Sequence, residues 1–80
     1  MKIDFIECEI PITKENTRHF EQFGDLLLLR VKYINQDRCD YAVLQYHTTA
    51  SGGKIAIFDG NFFYEFENAG VVTGYITLEV

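Results

Sequence analysis

Two cysteines and two histidines are the residue types in this sequence with the widest chemistry, because a thiolate can act as a nucleophile and an imidazole as its base. Cys39 and His47 are the only such pair close in sequence. On one strand their separation of eight residues spans about 26 Å, so they cannot work together. Because neither C-x-x-C nor paired histidines occur, the sequence predicts no metal site, no catalytic residue and no enzyme.

The segment SGGK at 51–54 contains the Gly-Lys pair of a phosphate-binding loop. That loop also needs a glycine five residues before the pair and a serine or threonine after the lysine. Thr48 and Ile55 stand at those two positions. The glycines are therefore interpreted as a turn, and no cofactor is expected.

The net charge of −5 comes from twelve acidic and seven basic residues that are spread along the chain. An acidic surface disfavours direct binding to nucleic acid or to an anionic membrane, since both reward a basic face. Two interpretations of the acids remain open. They keep a small, apolar domain in solution, or they mimic phosphates and block a nucleic-acid-handling protein.

The length of 80 residues predicts one compact domain, residues 1–80. Asp4, Glu7 and Glu9 interrupt the apolar run that a secretory signal would need, and no segment approaches the roughly 20 apolar residues of a membrane span. A cytoplasmic location is therefore expected. Cys8 and Cys39 are then expected to be free thiols.

The first third of the chain predicts a strand and then a helix. Residues 2–10 form an irregularly alternating strand, with a bulge near Phe5–Ile6, and Pro11 ends it. Thr13 is a suitable helix N-cap and Gly24 a suitable stop. Between them the apolar stripe is narrow and consists of Phe20 and Phe23.

Two strands follow, at 26–34 and 39–48, joined by the polar turn NQDR. Pairing Ile34 with Cys39 gives both strands a shared core face. That face consists of Leu27, Leu29, Val31, Tyr33, Ala42, Leu44 and Tyr46. The opposite face is mixed and consists of Leu26, Leu28, Arg30, Lys32, Tyr41, Val43, Gln45 and His47.

A final strand over 71–80 places Val72, Ile76, Leu78 and Val80 on one face. The predicted fold is therefore an α+β domain. It has an antiparallel sheet of about five or six strands, open or curled into a partial barrel, and one short helix after the first strand.

The segment AIFDGNFFYEF at 56–66 predicts a hairpin that turns at Asp59-Gly60 or Gly60-Asn61. Both centres predict one core face, namely Ile55, Ile57, Phe62, Tyr64 and Phe66. Phe58 and Phe63 then point the other way, with Glu65 and Glu67 beyond them. Either a loop or the N-terminal strand covers these two rings, or they contact another chain. The candidate partner-binding residues are Phe58, Phe63, Glu65 and Glu67.

The functional hypothesis from sequence is a small, acidic, non-enzymatic protein-interaction module, such as an inhibitor, an adaptor or an accessory subunit. This composition is typical of small proteins encoded by phages and mobile elements. The alternative is a small-ligand binder or minimal enzyme whose pocket is lined by Tyr33, Tyr41, Tyr46, Tyr64 and Tyr75. The expected partner is another protein, or a second copy bound through a strand edge or the hairpin face.

Overall fold

Six strands form a single antiparallel sheet in the computed structural model, which describes residues 4–78. In chain order they are β1 (Ile6–Pro11), β2 (Leu26–Tyr33), β3 (Cys39–Thr48), β4 (Lys54–Phe58), β5 (Asn61–Phe62) and β6 (Gly70–Thr77). In the sheet they lie in the order β1-β6-β2-β3-β4-β5. Strands account for 52% of the described residues, and the sheet does not close into a barrel within them.

The predicted α+β class is wrong, because the described residues contain no α-helix. The segment after β1 forms turns and a short 3₁₀ helix at His19–Phe23, and a second 3₁₀ helix occupies Phe63–Phe66. The backbone bonds after β1 span three residues rather than four, as in Asn16 N to Thr13 O and His19 N to Asn16 O. That spacing is the signature of a tighter coil that does not extend far.

The predicted helix fails for two physical reasons. Asn16, Thr17 and His19 have weak helix propensity, and a short helix cannot repay the cost of its first turn without a broad apolar face. The segment must also bury Ile12 and Phe20 at its two ends, both of which are almost fully buried. Gly24 ends it at a φ of 136° rather than in the predicted left-handed helical conformation.

The predicted facing of β2 and β3 is confirmed. Leu27, Leu29 and Leu44 are fully buried on one face of the sheet, which we call the inner face. The register differs from the prediction, since Cys39 pairs with Lys32 rather than with Ile34. A shift of two residues moves each cross-strand partner but leaves every side chain on its predicted face.

A bulge in β6 changes the facing predicted for the last strand. Val31 pairs with Val72 and Arg30 with Gly74, so Thr73 is an extra residue between them. Beyond the bulge the alternation is inverted: Tyr75 is buried with Val72, whereas Ile76 lies on the opposite face. The predicted position of Val80 lies outside the described residues.

The irregularity of β1 also lies elsewhere than predicted. Its register with β6 shifts between Glu7 and Ile10 rather than at Phe5–Ile6.

The core is a single layer between the inner face and the segments that cross it. Ile12 and Phe20 come from the segment after β1, and Phe63 comes from the second 3₁₀ helix. These segments lie on the inner side, whereas the Phe5 ring lies over the opposite face, against Arg30 and Tyr41. The Cα atoms extend over 40 × 32 × 19 Å. The molecule is therefore flat, with one covered sheet face and one sheet face that is bare, within residues 4–78, apart from the Phe5 ring.

The predicted facing of the hairpin is wrong, except that Phe66 packs against the core as predicted. Phe58 and Phe63 are 0% and 1% exposed, and their rings stack with centroids 5.5 Å apart. Phe62 and Tyr64, predicted to be core, are 40% and 52% exposed. Ile55 likewise lies outside the buried core.

Two features of the hairpin explain the inversion. Leu44 of the inner face pairs directly with Phe58, and this register places Phe58 inside. The turn is Asp59-Gly60, with positive φ at both residues, but β5 then ends at Phe62. Because the chain coils into the second 3₁₀ helix instead of continuing the strand, Phe63 enters the core under Phe58.

The neighbours Phe62 and Phe63 provide a matched test of this facing. Phe63→Ala should lower the free energy of unfolding by about 3–5 kcal/mol because it removes a buried ring, whereas Phe62→Ala should lower it by less than about 1 kcal/mol. Urea denaturation of both variants measures the difference. Equal losses for the two substitutions would contradict the structure.

Tyr46 should make the protein sensitive to alkali. Its hydroxyl donates a hydrogen bond to Thr17 O at 2.8 Å, and burial raises its pKa above the ordinary value. The folded state therefore keeps the proton that the unfolded chain releases near pH 10, so stability should fall above that pH by about 1.4 kcal/mol per unit. Tyr46→Phe should reduce this slope in unfolding experiments between pH 8 and pH 12. An unchanged slope would assign the alkaline loss to other groups.

Candidate functional site

The bare face of the sheet, which we call the outer face, is built of cross-strand rows. The charged and aromatic row is Glu7–Gly74–Arg30–Tyr41. The aliphatic row is Ile76–Leu28–Val43. The third row is Leu26–Gln45–Ile57–Phe62. Successive rows are about 7 Å apart, because side chains on one face recur every second residue.

The aliphatic row lies in the middle of the outer face. Leu28 is flanked by Ile76 on β6 and by Val43 on β3. Val43 is 42% exposed and Tyr41, in the adjoining row, is 57% exposed. Contiguous apolar surface of this kind is a usual mark of an interaction site, whereas single exposed apolar residues are not.

Arg30 lies in the row next to the aliphatic row, and its guanidinium is held through Nε and Nη2. It forms an ion pair with Glu7 across β6. Its Nε donates to Thr73 Oγ1 at 3.0 Å and its Nη2 donates to Thr73 O at 2.9 Å. The bulge in β6 makes this possible, since it turns Thr73 towards Arg30.

Gly74 provides the space for this arrangement. A Cβ atom at this position would lie 3.0 Å from Arg30 Nη2, so the guanidinium passes where a side chain would stand. Phe5 covers the other side of Arg30, with the guanidinium carbon 5.4 Å from the ring centroid, and also contacts the Tyr41 ring. The charge is thus neutralised, hydrogen-bonded and shielded by a ring.

Tyr41 stands between two open depressions of the outer face. One has a volume of about 600 Å³ and lies towards Phe5, Glu7 and Arg30. The other has a volume of about 460 Å³ and lies towards Val43, Gln45 and Ile57. Leu28 and Tyr41 line both. The face therefore presents a projecting aromatic side chain with a concave surface on either side of it.

The hairpin extends the outer face with two aromatic rings. Phe62 pairs with Ile57 and so lies on the outer side of the sheet. Tyr64 stacks on Phe62, with ring centroids 5.4 Å apart and an angle of 13° between the planes. The hairpin does present aromatic surface, but through these two residues rather than through Phe58 and Phe63.

Glu65 and Glu67, the acidic candidates from sequence, both hold backbone in place. A carboxylate oxygen of Glu65 accepts a hydrogen bond from Phe62 N at 3.2 Å, which caps the second 3₁₀ helix. A carboxylate oxygen of Glu67 accepts one from Lys14 N at 2.8 Å. Their contact with a partner stays a prediction, whereas Phe58 and Phe63 are enclosed in the core.

The chemically reactive residues are not brought together. Cys39 and His47 lie at opposite ends of β3. Cys8 packs against the core and has its thiol pKa raised, chiefly by burial, with Arg30 opposing and Glu7 adding to the shift. Both cysteines are free thiols. Within residues 4–78, no group of three or more His, Cys, Asp or Glu side chains is placed to hold a metal ion.

The five tyrosines do not share one pocket. Tyr46 and Tyr75 are buried on the inner side, where Tyr75 stacks against Phe23. Tyr41 lies on the outer face, and Tyr64 is exposed on the hairpin. The geometry therefore does not gather the tyrosine hydroxyls that the ligand-binding alternative needs.

The chain matches no protein-family model, no curated protein and no solved structure. Within the described residues there is no helix whose length and apolar character would let it cross a membrane.

Part of the outer face follows from the alternation of β2 and β3. The predicted mixed face of β2 and β3 is the observed one, including Leu28, Arg30 and Val43. Two features of the outer face were not predicted. One is the ion pair between Arg30 and Glu7, which are 23 residues apart in the chain. The other is the register between β3 and β4, which places Ile57 on this face. Pairing β4 with β3 across the loop at 49–53, with the alternation of β3 already known, would have placed Ile57 on the outer face.

Gly74 and Arg30 should be energetically coupled. Gly74→Ala should lower the free energy of unfolding by about 1–3 kcal/mol, because the added methyl displaces the guanidinium. The loss should shrink by about 0.5 kcal/mol or more when Arg30 is already alanine. Chemical denaturation of both single variants and the double variant measures the coupling. Additive losses would show that Arg30 does not depend on the space at Gly74.

Proposed function

We propose that this protein is a non-enzymatic protein-interaction module that binds its partner through the outer face of the sheet. The observation that carries the proposal is the aliphatic row Ile76–Leu28–Val43 beside the exposed Tyr41. Within this row Val43 is exposed, and Ile76 and Leu28 are half-buried. Interfaces are typically built from an apolar centre with aromatic anchors and few unpaired charges. An inhibitor, an adaptor and an accessory subunit would all use such a surface.

The charge pattern supports a partner with an apolar surface rather than a basic one at this face. Arg30 is paired with Glu7 beside the aliphatic row, and Lys32 lies with Glu9 along one depression near the end of the face. Asp4 and Asp59 line different depressions beside Tyr41, so the acids at this face do not form one row. Mimicry of phosphates would need a continuous row of acids, and the row in the middle of the outer face is aliphatic.

The proposal can be tested by site-specific photo-crosslinking in cells that naturally produce the protein. A photoreactive amino acid at Val43 should form a covalent adduct with one protein, because this side chain lies in the apolar centre. The same amino acid at Gln22, an exposed residue of the first 3₁₀ helix on the inner side, should not yield that adduct. Denaturing electrophoresis and mass spectrometry identify the products.

The purified partner then allows a quantitative measurement. Val43→Lys places a charge in the aliphatic row and should weaken binding by about tenfold or more, while Gln22→Lys should leave it unchanged. Thermal melts establish that both variants remain folded. Adducts that form equally from both positions, or from neither, would refute the outer face as the binding surface.

A further inference from the structure

We infer that the partner of the outer face is a second copy of this chain, bound face to face about a two-fold axis. This inference rests on the proposed function of the face as a protein-binding surface and names its occupant. A two-fold interface must be self-complementary, since the same patch serves both subunits. The shape, the area and the charge of the outer face each meet that requirement.

The shape is self-complementary around Tyr41. The ring projects between depressions of about 600 and 460 Å³, so the face carries both a projection and the recesses to receive one. A two-fold axis near Leu28, which lines both depressions, places each Tyr41 in a recess of the other copy. An aromatic side chain that fills a pocket at the centre of an interface is the commonest type of strong contact.

The area is sufficient for a stable pair. The three rows of the outer face continue into a fourth, Val71–Lys32–Cys39, at the end of the face. Each residue of these rows takes about 4.8 × 7 Å of the sheet, which gives a flat area on the order of 500 Å² per copy. The pair therefore buries a flat area on the order of 1,000 Å², which is about the minimum for a specific interface. Side chains that project from the sheet add to this area. The side chains along these rows include Leu, Ile and Val, which interdigitate well when two sheets stack about 10 Å apart.

The charge distribution allows two acidic chains to meet on this side. Arg30 satisfies Glu7 within each copy, so the centre of the interface brings no unpaired charge out of water. Asp25 is tied to Lys54 at 2.8 Å and lies before β2 rather than in the aliphatic row. The aliphatic row thus meets the same row of the second copy, while Asp4 and Asp59 each line one of the two depressions beside Tyr41.

Sedimentation equilibrium of the full chain tests the dimer. The wild-type protein should pass from 9.3 kDa to twice that mass as its concentration rises from about 1 μM to about 1 mM. Tyr41→Ser should weaken dimerisation by about tenfold or more, because it empties the recess. Tyr41→Phe keeps the ring and should stay within about threefold of the wild type.

Ile6→Ser is the matched control, since Ile6 is 55% exposed against 57% for Tyr41 but pairs with Tyr75, which lies on the inner side. It should leave the dissociation constant unchanged. Val43→Lys provides a second disruption that does not remove the contact between Phe5 and Tyr41, and circular dichroism establishes that each variant is folded. A wild-type mass of 9.3 kDa at every concentration would overturn the dimer, as would a dimer that Tyr41→Ser and Val43→Lys leave intact.

The crosslinking experiment separates this inference from the proposed function. An adduct from position 43 with the mass of two chains supports both. An adduct with a different protein supports the binding surface and rejects the dimer. No adduct from position 43 rejects both.

Discussion

The covering of the sheet from one side is the constraint on which the rest of the structure depends. The segments at 12–25 and 63–69 both lie across the inner face, and they supply Ile12, Phe20 and Phe63 to the core. On the outer face, the described residues place the Phe5 ring against Arg30 and Tyr41. The aliphatic row in the middle of that face is left partly open, and the proposed binding surface would use that row.

Arg30 lies next to the aliphatic row, and contacts within its own chain keep its charge from being left unpaired on the outer face. An unpaired guanidinium there would resist loss of water, and a partner would have to compensate it. The bulge at Thr73 and the missing side chain of Gly74 let Arg30 reach Glu7 and two oxygen atoms of Thr73 within its own chain. The same contacts fasten the outermost strand β1 to the sheet, so one cluster of interactions serves both the fold and the surface.

The predictable part of the fold was the part governed by local alternation. Leu27, Leu29 and Leu44 take their predicted inner positions because β2 and β3 are long and regular. The helix and the facing of the hairpin failed because they depend on distant partners: Phe20 must reach the core, and Leu44 fixes the orientation of Phe58. For the same reason, only part of the candidate site could be predicted from the sequence. Its β2 and β3 residues follow alternation, whereas the pairing of Arg30 depends on a bulge and on β1.

The edges of the sheet disfavour association by the addition of strands. An exposed edge strand would recruit further strands without limit, but β1 has an irregular register and ends in Pro11, which lacks an N–H group. At the other edge, β5 ends after two residues because Phe63 turns into the core. The proposed face-to-face pairing would instead bury the apolar rows of both copies and leave inner sides that are already covered, so it would close at two chains. A sheet with one open face and two irregular edges therefore fits the proposed finite pair better than it fits a fibre.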